Sequence, residues 1–273
     1  MKRSAVLAVI FLVSLISLLS ASRVEATDLG NLWPLGDSIT YGAGHDGGYR
    51  ETLSTNLIAR GFSFKMVGTL TSNPTLFLSS VGQTHHDGHS GYAIADAVDI
   101  EGQPRHGIYE SLQSWHRSIQ KPDVILLLIG INDLNTGYKI DTAPERLDRL
   151  IDCLFGYYPH ARILIATLPD ADPNNTHRHG ATNDLTASIT NYNAGIVSTV
   201  AKHKGMGQHI VLVDMHAELT QADLADGLHP SAEGYVKMGN AWADAIVADQ
   251  RESANTNSAA TNRQAAIASI ARK

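Results

Sequence analysis

The chain has 273 residues, 43% of them hydrophobic, and a formal net charge of −6. This length and composition suit one domain with a substantial core. The acidic balance argues against nucleic acid and anionic membranes as partners. The single cysteine, Cys153, excludes an intramolecular disulfide.

Residues 1–26 have the layout of a secretory signal peptide. A basic start is followed by an apolar run from Ala5 to Leu19, and small residues precede Thr27. The run is shorter than the roughly 20 residues that cross a bilayer, which favours cleavage over an uncleaved anchor. We therefore expect a secreted, extracellular protein with no membrane contact after cleavage.

Apolar strand candidates alternate with amphipathic helix candidates through the rest of the chain. Strands are predicted near residues 32–35, 62–67, 123–129, 162–168 and 210–213, and helices near 49–60, 143–155, 183–204 and 231–248. The third strand (DVILLLI) is apolar on both faces, which is typical of a parallel strand covered by helices on both sides. The pattern predicts an α/β fold: a flavodoxin-like, three-layer α/β/α sandwich with a five-stranded parallel sheet.

The predicted domain spans residues 27–249 and contains long polar loops at 69–93 and 170–182. Loops of this length in a compact domain are usually functional or mobile. Residues 250–273 are rich in Ala, Ser, Asn and Thr, and we predict a disordered tail there.

Polar motifs follow the predicted strands at the end where a parallel α/β sheet binds its ligands. Ser38 follows the first strand, and Gly91 lies in the loop after the second. Asn132 follows the third strand, and Asp226 and His229 follow the fifth. All of these residues should therefore lie at one edge of the sheet.

Together these residues fit acyl transfer to a serine. Ser38 supplies a hydroxyl and His229 a base, while Asp226, three residues earlier, can hold the imidazole tautomer. The backbone N–H groups of Ser38 and Gly91 and the side chain of Asn132 can donate to an oxyanion. Each residue also has a structural interpretation, such as a helix cap for Ser38. The catalytic interpretation depends on their occurring together and in order.

Here the sequence resembles a known family. The segments Gly36–Ser38, Gly130–Asp133 and Asp226–Pro230, together with Gly91, resemble the four signature blocks of the SGNH (GDSL-type) hydrolases. Longer stretches such as HDGHSGY and DLADGLHPSAEGY are similar to the carbohydrate esterase family 3 branch. The resemblance implies a flavodoxin-like fold, with Ser, Gly, Asn and His in the roles given above, and acetylated xylan as the type of substrate.

Other polar residues have competing interpretations. The histidines at 85, 86 and 89 fit either metal ligands or the positioning of the Gly91 loop, and we favour positioning. Asp214 is a second candidate for orienting His229. Three charged residues near the motifs are assigned structural roles: Asp37, Arg50 and Asp133.

The sequence thus predicts a secreted serine esterase that removes O-acetyl groups from plant-wall polysaccharide or oligosaccharide, with no cofactor and no metal. A lipid-directed or general short-chain carboxylesterase, a lysophospholipase or an acyltransferase with the same site is one alternative. A non-catalytic carbohydrate-binding protein is another. The oligomeric state stays open.

Overall fold

The computed structural model describes residues 26–270. Eight strands occur along this part of the chain: β1 (Thr27–Gly36), β2 (Phe62–Met66), β3 (Asp87–Gly88), β4 (Ala97–Val98), β5 (Pro104–Arg105), β6 (Val124–Leu128), β7 (Arg162–Ala166) and β8 (Ile210–Val213). The α-helices of the same residues are α1 (Ser38–Tyr41), α2 (Tyr49–Ala59), α3 (Leu76–Ser80), α4 (Ile108–Trp115), α5 (Ile131–Asn135), α6 (Ala143–Tyr157), α7 (Leu185–Gly205), α8 (Met215–Glu218) and α9 (Ala232–Ile270).

The five main strands form one parallel sheet in the order β2–β1–β6–β7–β8, and β3 pairs with the end of β1. This confirms the predicted parallel sheet, and its strand order is flavodoxin-like. Gly36 of β1 pairs with Leu128 of β6, and Ala166 of β7 pairs with Val213 of β8. These four residues define what we call the carboxyl edge of the sheet.

Helices cover both faces of the sheet. The right-handed crossover from β1 to β2 places α2 on one face, while α4, α6 and α7 lie on connections that run the opposite way and so cover the other face. Helix α9 packs along α2, and α7 packs along α6. The predicted three-layer α/β/α sandwich is confirmed.

The five predicted strands and the four predicted helices all occur in the structure, although β1 begins at Thr27, five residues before its predicted start. Several short elements were not predicted, namely β3, β4, β5, α1, α3, α4, α5 and α8, and α4 is the longest of them. Sequence reasoning missed α4, although Ile108, Leu112 and Trp115 are buried at helical spacing on it. The helix has only 8 residues, so its apolar stripe is too short to stand out against the polar chain around it.

The last helix is longer than expected. Helix α9 continues to Ile270, where we predicted a disordered tail from residue 250. Residues 250–270 are rich in alanine, which has the highest helix propensity, and contain no Gly or Pro to end a helix. A domain boundary at residue 249 stays a prediction.

The predicted signal peptide, residues 1–26, lies outside the described residues except for Ala26. Among the helices of residues 26–270, none is both long and apolar enough to cross a bilayer.

Buried carboxylates hold the segments that leave the carboxyl edge. Asp87 of β3 accepts a hydrogen bond from the Trp33 indole at 2.7 Å. Asp133 of α5 accepts one from the backbone N–H of Ile94 at 3.0 Å and pairs with the Arg146 guanidinium. Burial raises the pKa of Asp133, although Arg146 opposes that shift. These contacts support the structural role predicted for Asp133.

Asp37 is fully buried between β1 and α1. Its Oδ1 accepts a hydrogen bond from the Ile39 N–H at 3.0 Å and so caps α1, while Oδ2 has no hydrogen-bond partner among the described residues. Burial raises the pKa of Asp37 to about 7; the Ile39 bond opposes the rise and the nearby Asp133 charge adds to it. The folded protein therefore holds a proton at Asp37 over a pH range in which the unfolded chain does not.

Asp37→Asn is expected to remove a pH-dependent part of the stability. The native pKa of about 7 lies above the ordinary 3.8, so unfolding releases a proton between these values. The contribution of Asp37 is therefore fully present below about pH 4 and is lost as the pH rises to about 7. Asn keeps the acceptor for Ile39 and cannot ionise. The melting temperature of Asp37→Asn minus that of the wild type should therefore increase from about pH 4 to about pH 8.

Thermal denaturation of both proteins at each pH measures this difference. Groups common to both proteins cancel in it. A difference that stays constant with pH would show that Asp37 does not titrate in this way.

Candidate active site

Ser38 begins α1, directly after the turn that ends β1. The turn requires glycine at position 36, because a Cβ there would lie 2.2 Å from the carbonyl oxygen of Leu128. The Asp37 cap then starts the helix. Tight strand-to-helix geometry thus presents the Ser38 hydroxyl at the carboxyl edge.

Asp226 and His229 lie in a turn before α9. Gly227 adopts a φ of +80°, a conformation that favours glycine. Asp226 Oδ1 accepts hydrogen bonds from the backbone N–H groups of Leu228 at 3.0 Å and His229 at 2.7 Å. The carboxylate is therefore fixed to its own turn.

Hydrogen bonds join the three predicted catalytic side chains in one chain. Ser38 Oγ lies 2.9 Å from His229 Nε2, and His229 Nδ1 lies 2.8 Å from Asp226 Oδ2. Partial burial raises the pKa of Asp226, but hydrogen bonds from the His229 ring and from two backbone N–H groups outweigh it and bring the pKa below its ordinary value. An ionised Asp226 keeps the His229 proton on Nδ1 and leaves Nε2 free to accept one.

Asp214, the second candidate for orienting His229, has other partners. It caps α8 and accepts a hydrogen bond from the Thr167 hydroxyl at 3.1 Å.

Gly91 and Asn132 line the same cavity as Ser38 and His229, with a volume of about 230 Å³. Asn132 Nδ2 donates to the carbonyl oxygen of Tyr92 at 2.8 Å. This bond orients the amide and uses one of its two N–H groups. The structure therefore brings all five predicted site residues together: Ser38, Gly91, Asn132, Asp226 and His229.

The rest of the cavity wall was not assigned from the sequence. It consists of Ala43, Ser90, Arg105, His177, His179 and Leu228. Arg105 of β5 pairs with Asp99 at 3.3 Å. A second cavity of about 370 Å³ adjoins the first, and both are lined by Ser90, Gly91, Arg105 and His179.

Sequence reasoning missed His177, which contacts two of the predicted catalytic residues. Its Nε2 lies 3.0 Å from Asp226 Oδ2, and its ring meets the His229 ring edge-on with centroids 5.1 Å apart. The available signal was a pair of histidines, His177 and His179, in the polar loop after the fourth main strand. No motif distinguishes them from surface histidines.

The histidine-rich segment before Gly91 holds its loop in place. His86 is fully buried; its Nε2 faces a backbone carbonyl oxygen at 2.9 Å, and its Nδ1 accepts the Gly88 N–H at 3.1 Å. Burial lowers the pKa of His86 to about 3, so the ring is neutral. His89 stacks on Trp115 with centroids 4.5 Å apart. These contacts fit the positioning interpretation and leave His86 no open nitrogen for a metal.

Arg50 also has a structural position. It is fully buried and donates to the carbonyl oxygens of Tyr41 at 3.1 Å and Asn73 at 3.2 Å. Burial lowers the pKa of Arg50 to about 10. Arg50 thus ties the end of α1 to the loop after β2.

Similar proteins include esterases. A multidomain esterase from Ruminococcus flavefaciens is 35% identical over 245 residues, or 86% of this chain, and the chain spans 31% of that protein's length. A family 3 carbohydrate esterase from Clostridium thermocellum matches with a TM-score of 0.62 at 27% identity, over 83% of this chain and 98% of that one. A family 3 carbohydrate esterase from Talaromyces cellulolyticus shares the fold, with a TM-score of 0.60 at 19% identity over 80% and 96% of the two chains.

The model of the GDSL-like lipase/acylhydrolase family matches residues 35–237, which is most of the chain and includes all five predicted site residues. This match agrees with the motifs and the fold. The chain therefore belongs to the GDSL-like lipase/acylhydrolase family, and its matched residues form an esterase/acylhydrolase domain of the carboxylic ester hydrolase class.

Proposed function

We propose that this protein is a secreted serine esterase that removes O-acetyl groups from plant-wall polysaccharide or oligosaccharide such as acetylxylan. One observation carries the proposal: the hydrogen-bonded chain Ser38–His229–Asp226 at the wall of a small cavity that Gly91 and Asn132 also line.

In the proposed reaction, Ser38 Oγ attacks the acetyl carbonyl carbon while His229 Nε2 takes the hydroxyl proton. The N–H groups of Ser38 and Gly91 and the Asn132 amide hold the negative carbonyl oxygen. The imidazolium then gives its proton to the sugar oxygen as the ester C–O bond breaks. Water activated by His229 attacks the acetyl-enzyme, and acetate leaves with Ser38 restored.

The cavity supports a short acyl group. A long acyl chain needs a continuous apolar groove, whereas Ala43 and Leu228 are the apolar members of this lining and most others are polar. The adjoining cavity of about 370 Å³ offers room for the alcohol that carries the acetyl group. The similarity to a family 3 carbohydrate esterase favours a carbohydrate alcohol, and the layout of residues 1–26 favours secretion.

The alternatives fit less well. The polar lining disfavours a lipid-directed esterase, lysophospholipase or acyltransferase. The complete set of nucleophile, base, orienting carboxylate and oxyanion donors disfavours a non-catalytic carbohydrate-binding protein.

Ser38→Ala is expected to lower kcat for p-nitrophenyl acetate by at least about 10³-fold, because it removes the attacking oxygen. A fluorophosphonate probe should label the wild type and leave Ser38→Ala unlabelled. Ser90→Ala, in the same cavity, is the matched control and should still be labelled. Full activity in Ser38→Ala, with an unchanged melting temperature, would rule out the assignment.

Asp226→Asn is expected to cost less kcat than His229→Ala. Removing His229 leaves no base and should lower kcat by about 10⁴-fold, whereas Asp226→Asn keeps the base, so its loss should be at least about tenfold smaller. A loss is still expected, because the backbone N–H groups at Oδ1 would turn the Asn amide nitrogen toward His229 Nδ1 and favour the wrong tautomer. Steady-state kinetics on p-nitrophenyl acetate measure both, and equal losses would contradict this ranking.

The enzyme should hydrolyse acetate esters in preference to esters of longer acyl chains. We expect kcat/KM for p-nitrophenyl acetate to exceed that for the octanoate by at least about tenfold. A single added methylene already changes binding in a pocket measurably, and the mostly polar lining of this cavity provides no continuous apolar groove for the longer octanoyl chain. Acetate release from acetylated xylan and acetylated glucomannan then tests the carbohydrate substrate. A preference for octanoate would favour the lipid-directed alternative.

A further inference from the structure

His177 is held firmly on the loop between β7 and α7. The Asn175 side-chain oxygen accepts the His177 backbone N–H at 3.0 Å, and the Asn135 amide donates to the His177 carbonyl oxygen at 2.8 Å. Asn175 and Asn135 also bond each other at 3.0 Å. Because Asn135 ends α5, these bonds fix His177 to the same edge of the sheet as the rest of the site.

Two imidazoles point at one carboxylate oxygen. Asp226 Oδ2 lies 2.8 Å from His229 Nδ1 and 3.0 Å from His177 Nε2. One ligand atom from each residue lies within 4.8 Å of the others. Within residues 26–270, no other set of three His, Cys, Asp or Glu side chains is gathered closely enough to hold one metal ion.

The chemistry of these ligands selects the kind of metal. Two imidazoles and a carboxylate suit Zn²⁺ and similar transition metals, whereas Mg²⁺ and Ca²⁺ prefer oxygen ligands alone. Tetrahedral Zn²⁺ with bonds of about 2.0–2.2 Å holds its ligand atoms roughly 3.3 Å apart, so the present contacts must widen slightly. The His177 and Asp226 side chains are 40% and 39% exposed, which gives an ion access to them.

We propose that His177, Asp226 and His229 form a Zn²⁺ site and that filling it inhibits the esterase. A water molecule completes the tetrahedron. The ion here is an inhibitor of the reaction and takes no part in it, so the expectation of no metal cofactor is unaffected.

Inhibition follows from the His229 tautomer. When Zn²⁺ takes the Nδ1 lone pair, the single ring proton moves to Nε2. Nε2 then donates a hydrogen bond and cannot accept the Ser38 proton. In addition, the positive ion beside the ring opposes imidazolium formation, and Asp226 no longer supports it. This consequence rests on the proposed serine mechanism, whereas metal binding itself does not.

The first test titrates ZnCl₂ into the full chain during hydrolysis of p-nitrophenyl acetate. The rate should fall at least about tenfold and return when EDTA is added, and MgCl₂ should have no such effect. His177→Gln should raise the half-inhibitory ZnCl₂ concentration by about 10- to 100-fold, with each variant compared with its own uninhibited rate.

His179→Asn is the matched control. His179 lies on the same loop and lines the same cavity, but the structure records no contact between it and Asp226. Its φ of +47° is one that Asn tolerates. The half-inhibitory concentration for His179→Asn should stay within about twofold of the wild type. An equal shift in both variants would overturn the assignment to His177.

Calorimetry separates binding from catalysis. Titration of ZnCl₂ into Ser38→Ala should reveal one site that weakens at least about tenfold in Ser38→Ala/His177→Gln. No difference between these two proteins would overturn the metal site. Retained activity in Ser38→Ala would instead refute the serine mechanism, while the calorimetric comparison would still decide the metal site.

Discussion

The parallel pairing of β1 with β6 is the constraint on which the site depends. Gly36 lies beside Leu128, so the chain leaves both strands at the same level of the sheet. Ser38 follows two residues after one strand end and Asn132 four residues after the other. A one-residue slip of this register would turn the side chains of β1 to opposite faces and would separate the nucleophile from the Asn132 amide.

Buried carboxyl groups hold these short connections in place. Asp37, Asp87 and Asp133 lie in the core at the carboxyl edge, where an ionised carboxylate is costly unless it is paired or hydrogen-bonded. Asp87 and Asp133 have such partners. Asp37 has a partner for one oxygen alone among the described residues, and burial raises its pKa to about 7. Asp37, which caps α1, is therefore costly to ionise although it lies directly beside the nucleophile in the sequence.

Much of the site was predictable from the sequence because its signals are local. Ser38 follows an apolar strand within two residues, Asp226 and His229 are three residues apart, and parallel-sheet topology brings strand ends together by rule. The sheet itself was predictable because its central strands, β6 and β7, are apolar on both faces. His177 and Arg105 were not predictable, because their positions depend on how a polar loop and a hairpin fold back. His177 meets a carboxylate 49 residues away in the sequence, and no periodicity encodes such a contact.

Different interactions fix the nucleophile, Ser38, and the base with its carboxylate, His229 and Asp226. Ser38 is fixed by sheet register and by a fully buried neighbour, so it moves only with the core. Asp226 and His229 are fixed by a local turn, whose backbone N–H groups hold the carboxylate, and the Asp226 side chain is 39% exposed. The distance between His229 Nε2 and Ser38 Oγ therefore depends on two separate parts of the fold, the register of the sheet and the conformation of the turn before α9.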